Sequence, residues 1–185
     1  MKKVIAIMGS PRKGKNTDKL LDKLLEGLKD SKYEVEIKKV YLRDLEIGHC
    51  IGCGYCEKTG KCFMNDGMNV LYDEFDGADG VVIASPVYFN SVNSITKAMI
   101  DRCQAYWSSK YVLKKPSIDR EKKRFGYFLC VGGAPETDDQ FDGSIPVIDY
   151  FFRAVNNQYK GNLLCSHTDD KPTWEREDLM NEAYE

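Results

Sequence analysis

What this sequence lacks narrows its function before any motif is read. No apolar run approaches the roughly 20 residues that a membrane helix needs. The N-terminal stretch from Val4 to Met8 holds five apolar residues, short of the roughly 7–15 of a signal-peptide core. A cytoplasmic protein with no membrane partner is the expectation. Positive charge is not in excess either: 27 Lys and Arg face 29 Asp and Glu, for a formal net charge of −2. That balance argues against a nucleic-acid partner, so any anion bound here is small and local. Histidine is scarce, with only His49 and His167, and neither has a visible partner. No repeat or low-complexity tract interrupts the chain, and 185 residues fit a single domain over 1–185.

The rest of the chain alternates short apolar runs with amphipathic ones. "KVIAIM", "DGVVIAS", "RFGYFLCVGG" and "GNLLCSH" read as buried strands, and "YEVEIKKVYL" alternates like a strand at a sheet edge. "TDKLLDKLLEGLKD" carries Leu20, Leu21, Leu24, Leu25 and Leu28 at helical spacing, with Thr17 as the expected N-cap. "GMNVLYDEFDGA", "ITKAMIDRCQAY", "SIPVIDYFFRAVNN" (capped by Ser144) and "WEREDLMNEAYE" read as the other helices, while "WSSKYVLKKPSIDREKK" has no strong pattern. Five strands alternating with helices predict a doubly wound α/β domain around a parallel sheet. In such folds ligands bind outside the carboxyl ends of the strands, where the strand order reverses.

One loop at that edge is chemically loaded. "GSPRKGKNT" follows the first strand and opens the first helix. A phosphate there would meet free backbone N–H groups and the positive end of a helix dipole. Ser10 and Thr17 add hydroxyls, Arg12 a guanidinium fork and Asn16 a further donor. The loop is neither a Walker A motif nor G-x-G-x-x-G, and a plain β–α turn rich in turn-formers is the alternative reading. Tyr88 and Phe89 after the third strand, and Gly132-Gly133 after the fourth, are on their own core or surface aromatics and an ordinary turn.

Seven cysteines divide into two sets. Cys103, Cys130 and Cys165 fall in a helix or in apolar strands and read as buried, unreactive thiols. Cys50, Cys53, Cys56 and Cys62 crowd into "CIGCGYCEKTGKC", where reduced thiols suggest a metal or catalytic site before a disulfide. Three cysteines at successive x2 spacing are similar to bacterial [4Fe–4S] ligation, although the fourth comes after five residues and is followed by Phe63, not Pro. Gly52, Gly54 and Gly60 would let the backbone wrap, and Ile51, Tyr55, Phe63 and Met64 would shield the site. Zinc, a thiol–disulfide switch and free thiols stay open beside the cluster. Lys97 and Asp101, spaced i, i+4, read as a solvated helix pair.

Taken together, "GSPRKGKNT", "SPVYFNSV" and "VGGA" resemble the three flavin loops of flavodoxin-like NAD(P)H-dependent FMN reductases, in order and spacing across roughly residues 3–168. With the cysteine segment, the chain resembles their iron-sulfur flavoprotein branch. The resemblance implies a flavodoxin-like five-stranded sheet of order 2-1-3-4-5 with a cysteine-rich insert at 47–65 after strand 2. It implies FMN, its phosphate held by Ser10, Arg12, Asn16 and Thr17. Its ring would be flanked by Pro86, Val87, Tyr88, Phe89, Asn90 and Ser91 and closed by Gly132, Gly133 and Ala134. Cys50, Cys53, Cys56 and Cys62 would hold a [4Fe–4S] cluster, which purification in air can remove. No catalytic acid or base is expected, because flavin hydride chemistry needs none. The activity implied is electron passage between a one-electron donor and a two-electron acceptor, with NAD(P)H, ferredoxin or quinone as candidate partners. A cluster-free NAD(P)H-dependent FMN or quinone reductase and a non-enzymatic flavin shuttle are the rivals. A homodimer or homotetramer is implied, in which a cluster on the strand-2 side serves a neighbour's flavin. Tyr106 and Trp107 would cover that flavin or pack the interface.

Overall fold

The computed structural model describes residues 1–185. Strand β1 (Lys2–Met8) passes into helix α1 (Asn16–Asp30), and β2 (Val35–Tyr41) follows. Helices α2 (Tyr55–Thr59) and α3 (Met68–Gly77) precede β3 (Gly80–Tyr88), which turns back on the short β4 (Ser91–Val92). Helices α4 (Ser94–Arg102) and α5 (Gln104–Trp107) and a π-type turn over Ser108–Val112 come before β5 (Phe125–Val131). Helix α6 (Ser144–Ala154), β6 (Gln158–Cys165) and helix α7 (Glu177–Tyr184) complete the chain.

The sheet has six strands, not five. The parallel ones follow the order β2-β1-β3-β5-β6, and β4 lies off that path, antiparallel to β3. Two residues carry no readable period, which is why β4 escapes a sequence pattern and the expected order 2-1-3-4-5 becomes 2-1-3-5-6. Successive strand residues feed opposite faces. Ile5, Ile7, Val81, Ile83, Phe128 and Cys130 pack with Phe75, Met99 and Phe151 beneath α3, α4 and α6. Ala6, Met8, Val82, Ala84, Leu129 and Val131 pack with Leu20, Leu21, Leu25 and Leu179 beneath α1 and α7. Burial on both faces is the physical reason these strands read as unbroken apolar runs.

Two expected caps sit inside their helices. Helix α1 starts at Asn16 behind an uncapped Lys15, so Thr17 lies in its first turn. Ser144 is the first residue of α6, with Gly143 before it; its hydroxyl accepts from the Cys130 thiol at 3.9 Å.

The turn between β1 and α1 is held by a buried carboxylate. Asp18 accepts the Gly14 amide at 2.6 Å, where Gly14 has φ 68°, and it pairs with Lys39 of β2 and the Tyr41 hydroxyl. Burial opposes the charge of Asp18, but the Gly14 and Lys39 hydrogen bonds outweigh it and hold the carboxyl below its ordinary value. Asp18→Asn should therefore cost about 2 kcal/mol at neutral pH, the scale of hydrogen bonds to a charged group. The difference from wild type should be full above the ordinary carboxylate value of 3.8 and vanish as pH falls through the lower folded value. Urea unfolding of both proteins from neutral to acid pH checks this; a gap unchanged in acid would refute it.

Candidate functional site

The loops after β1, β3 and β5 meet at the carboxyl edge of the sheet, and one asparagine joins two of them. Gly9 donates its amide to the Ala84 carbonyl at 2.7 Å, and Asn93 donates its Nδ2–H to the Gly9 carbonyl at 2.7 Å. The Asn93 Oδ1 caps α4 by accepting the Thr96 amide at 3.3 Å. Gly9 has no alternative residue, because a Cβ there would lie 2.1 Å from Thr96 Oγ1. Ser10 and Thr17 are buried at this edge, while Arg12 is exposed.

Asn16 is already engaged with the C-terminal segment. Its Nδ2 donates to the Thr168 carbonyl at 3.4 Å, and its Oδ1 accepts the Thr173 amide at 3.0 Å. The same C-terminal segment grips the loop after β5. Amides of Thr168, Asp169 and His167 donate to the carbonyls of Gly132, Gly133 and Ala134, at 3.2, 3.1 and 2.8 Å. Residues 167–173 thus strap the first and last loops together, a role their sequence does not signal. Gly132 also lies against Val87, which a Cβ would approach to 3.1 Å.

Pro86 is buried, and the chain then climbs outward through Val87 to Tyr88 and a fully exposed Phe89. Phe89 and Asn90 form the two-residue connection from β3 to β4, with φ of 50° and 56°. Positive φ at both positions is the type I′ turn that fits the twist of a hairpin. Ser91 donates to the Gly143 carbonyl at 3.3 Å, tying this turn to the segment before α6. Two buried oxygens at this edge, Thr96 Oγ1 and Gln140 Oε1, have no partner in the chain.

The second site lies elsewhere. All four clustered cysteines line one cavity of about 520 Å³ together with Ile51, Phe63, Met64, Trp107 and Tyr150. Cys50 and Cys53 are exposed, Cys56 and Cys62 half-buried, and none of the seven cysteines is in a disulfide. Gly54 and Gly60 flank α2 with φ of 70° and 72°, conformations that a residue with a Cβ adopts only under strain. The Ser108 hydroxyl lies 3.4 Å from Cys56 Sγ. No three Cys, His, Asp or Glu residues converge closely enough to hold a single metal ion.

A buried ion pair fastens both ends of this loop. Arg102, at the end of α4, donates to both oxygens of Asp66, at 2.6 and 3.1 Å, and to the Gly48 carbonyl at 2.9 Å. Asp66 in turn accepts the amides of Gly48 and Met68, each at 3.0 Å. Burial opposes its charge, yet the Arg102 and backbone hydrogen bonds hold its carboxyl below the ordinary range. Neither residue stands out in the sequence.

Other expectations sort cleanly. Cys103, Cys130 and Cys165 are buried; burial raises all three thiols, that of Cys130 to about 12. Lys97 and Asp101 form an exposed pair at 2.7 Å. Tyr106 is a core residue whose hydroxyl donates to Asp76 at 2.9 Å, so it covers no flavin and packs no interface. Trp107 packs at a 44° tilt against Tyr111, ring centroids 4.2 Å apart, and lines the cysteine cavity. His167, expected to be unpartnered, pairs with Asp170.

The clasp generates a stability prediction. Asp66→Ala strands the Arg102 charge, which is 1% exposed, and should cost about 3–5 kcal/mol. Chemical denaturation of the metal-free protein measures this, and a loss under about 1 kcal/mol would contradict a buried clasp.

Comparison with known proteins places this geometry. A sequence model of the NADPH-dependent FMN reductase family matches residues 2–134. An iron-sulfur flavoprotein of Archaeoglobus fulgidus is 41% identical over 104 residues, covering 56% of this chain and 46% of that protein. One of Methanosarcina thermophila is 32% identical over 132 residues, covering 71% of this chain and 64% of the relative. The chain thus spans about half to two thirds of the length of these relatives. Among solved structures, a Bacillus anthracis azoreductase superposes with a TM-score of 0.73 at 14% identity, covering 100% of this chain and 95% of that one. An FMN-dependent NADH-azoreductase from the same species gives 0.65 at 17%, with 100% and 94% covered. That likeness shows the flavodoxin-like fold, and the match over residues 2–134 shows that the chain belongs to the NADPH-dependent FMN reductase family.

Proposed function

We propose that this chain is a flavin-dependent oxidoreductase with FMN at the carboxyl edge and a [4Fe–4S] cluster in the cysteine cavity, passing electrons between a one-electron donor and a two-electron acceptor. One observation carries the reading: Cys50, Cys53, Cys56 and Cys62 all line a single, mostly apolar cavity of about 520 Å³. A structural zinc needs four ligands drawn to one point, with Zn–S near 2.3 Å. Thiolates standing apart around a space suit a group with a body of its own. The Archaeoglobus fulgidus and Methanosarcina thermophila relatives are iron-sulfur flavoproteins, in keeping with this reading. When bound, the flavin would convert between one- and two-electron transfer and the cluster would carry single electrons.

The chain's own part is binding and orientation. Ser10, Thr17, Arg12 and the first amides of α1 would hold the FMN phosphate, with Asn16 fixing the loop from behind. Pro86, Val87, Tyr88, Phe89, Asn90 and Ser91 would form one wall of the ring site, and Gly132, Gly133 and Ala134 the other. The unpartnered oxygens of Thr96 and Gln140 are suited to receive a ligand's donors. The two sites stand at opposite ends of α4: Asn93 caps its start and Arg102 ends it, about 14 Å apart along the axis at 1.5 Å per residue. That separation favours a homodimer or homotetramer in which one copy's cluster serves another's flavin. NAD(P)H, ferredoxin or a quinone are the candidate partners.

Anaerobically purified protein should carry about four irons per chain and one FMN, and Cys56→Ser should lose most of the iron while keeping FMN. Arg12→Ala combined with Thr17→Val should weaken flavin binding by about 2–4 kcal/mol. Stoichiometric zinc, or no metal in anaerobic protein, would leave the cluster-free NAD(P)H-dependent reductase as the reading. Unchanged flavin affinity in the double variant would move the phosphate site elsewhere.

A further inference from the structure

The Arg102 guanidinium has more donors than the protein uses. Its two terminal nitrogens are bound to Asp66 and Gly48, but its Nε is buried without any acceptor in the chain. Arg102 is among the largest fully buried side chains of the protein, and it stands in the wall of the cysteine cavity. A charged donor left buried and unbonded is costly; Arg124 Nε is likewise without an acceptor, but of the two only Arg102 stands beside the cysteines. A guanidinium ties up its five N–H groups in a rigid fork, so once Asp66 has fixed the terminal pair, the direction of Nε–H is fixed as well. The Arg102 charge is met by Asp66, and the mostly apolar cavity beside it, whose carboxylates are the exposed Glu57 and the lysine-bound Asp101, gives Nε–H no acceptor.

We propose that Arg102 is a positioning residue with two duties toward the group held by the four cysteines. Through Asp66 and Gly48 it closes the loop that carries them, and through Nε–H it donates a hydrogen bond to an anionic sulfur in the cavity. This rests on the cluster reading above. Hydrogen bonds to sulfur are among the features that set a cluster's reduction potential. Arg102, its charge already met by Asp66, is placed to supply one through Nε–H. Its removal should therefore make the bound group harder to reduce, which simple loosening of the loop would not do.

The test uses the full chain, purified without oxygen, as wild type, Arg102→Lys and Arg102→Gln. Iron and sulfide are measured per chain, and the potential is measured by redox titration followed by electron paramagnetic resonance. Arg102→Lys keeps a cation beside Asp66 but has no Nε–H. It should hold iron and show at least a tenfold shift of the reduction equilibrium toward the oxidised form, 59 mV for one electron. Arg102→Gln should shift further or lose iron. Iron-loaded Arg102→Lys at the wild-type potential overturns the proposal. A second measurement needs no variant: in ¹⁵N-arginine-labelled wild type, the Arg102 Nε–H should exchange at least tenfold more slowly, and be paramagnetically shifted, once iron is loaded. An Nε–H signal identical with and without iron overturns it too. Wild type that takes up no iron sinks the cluster reading itself, an outcome distinct from a loaded protein whose potential ignores Arg102.

Discussion

The bidentate pair between Arg102 and Asp66 decides where the cysteines can be. The loop from residue 49 to 65 has almost no core: α2 buries none of its residues, and Ile51, Tyr55 and Phe63 face solvent. Such a segment has little of its own to offset the entropy of being ordered. Its two ends are nevertheless pinned, because Gly48 and Asp66 share the same guanidinium and Gly67 donates to the Glu46 carbonyl at 2.9 Å. Buried ion pairs are poor sources of net stability, since desolvation consumes most of the Coulomb gain. Their use is geometric, and a rigid fork meeting a carboxylate fixes both distance and direction. Here that geometry brings a polar loop across α4 and α6, to a cavity bounded by Trp107 and Tyr150.

The carboxyl edge follows a different logic. There, local backbone contacts do the positioning, with single side chains joining loops distant in sequence. Asn93 joins Gly9 to the start of α4, and Asn16 joins the first loop to residues 168 and 173. Close approach at this edge is tightest at Gly9, where a Cβ would lie 2.1 Å from Thr96 Oγ1 and 3.0 Å from the Ala84 carbonyl oxygen. The negative charge of Asp18, in the first turn of α1 beside the proposed phosphate loop, would be a liability if it were bare. Lys39 neutralises it from the neighbouring strand, leaving Arg12 as an unpaired cation at the surface.

These two logics explain what could be read in advance. Apolar runs and leucine stripes reveal strands and helices because burial acts on every residue of an element. A two-residue strand such as β4 has no such redundancy. The cysteines announce themselves by spacing, but Arg102 looks like any polar residue on an amphipathic helix, and Asp66 like any loop acid. Their roles arise from a contact 36 positions apart, and one sequence holds no trace of it. Asn16 differs in the opposite way: its residue type suits a phosphate, and a strap more than 150 positions away also bonds its amide, which the sequence does not signal. The cysteine loop was expected on the phosphate side because strand 2 lies there. The clasp to α4 carries it across the helical face instead.

Phe89 shows what remains once core packing is accounted for. A two-residue hairpin demands positive φ at both central positions, which Asn90 tolerates well and a bulky aromatic does not. Holding Phe89 there costs on the order of 1–3 kcal/mol, and the ring gains no burial in return, being fully exposed. Neighbouring structure enforces the turn: Ser91 bonds Gly143, and a Cβ at Gly143 would lie 2.4 Å from the Asn90 carbonyl. An aromatic held out at the mouth of the crevice, beside Tyr88 at 43% exposure, makes physical sense only if its contact surface belongs to something outside the chain. Its proposed place flanking a flavin ring meets that requirement, whereas a packing role does not.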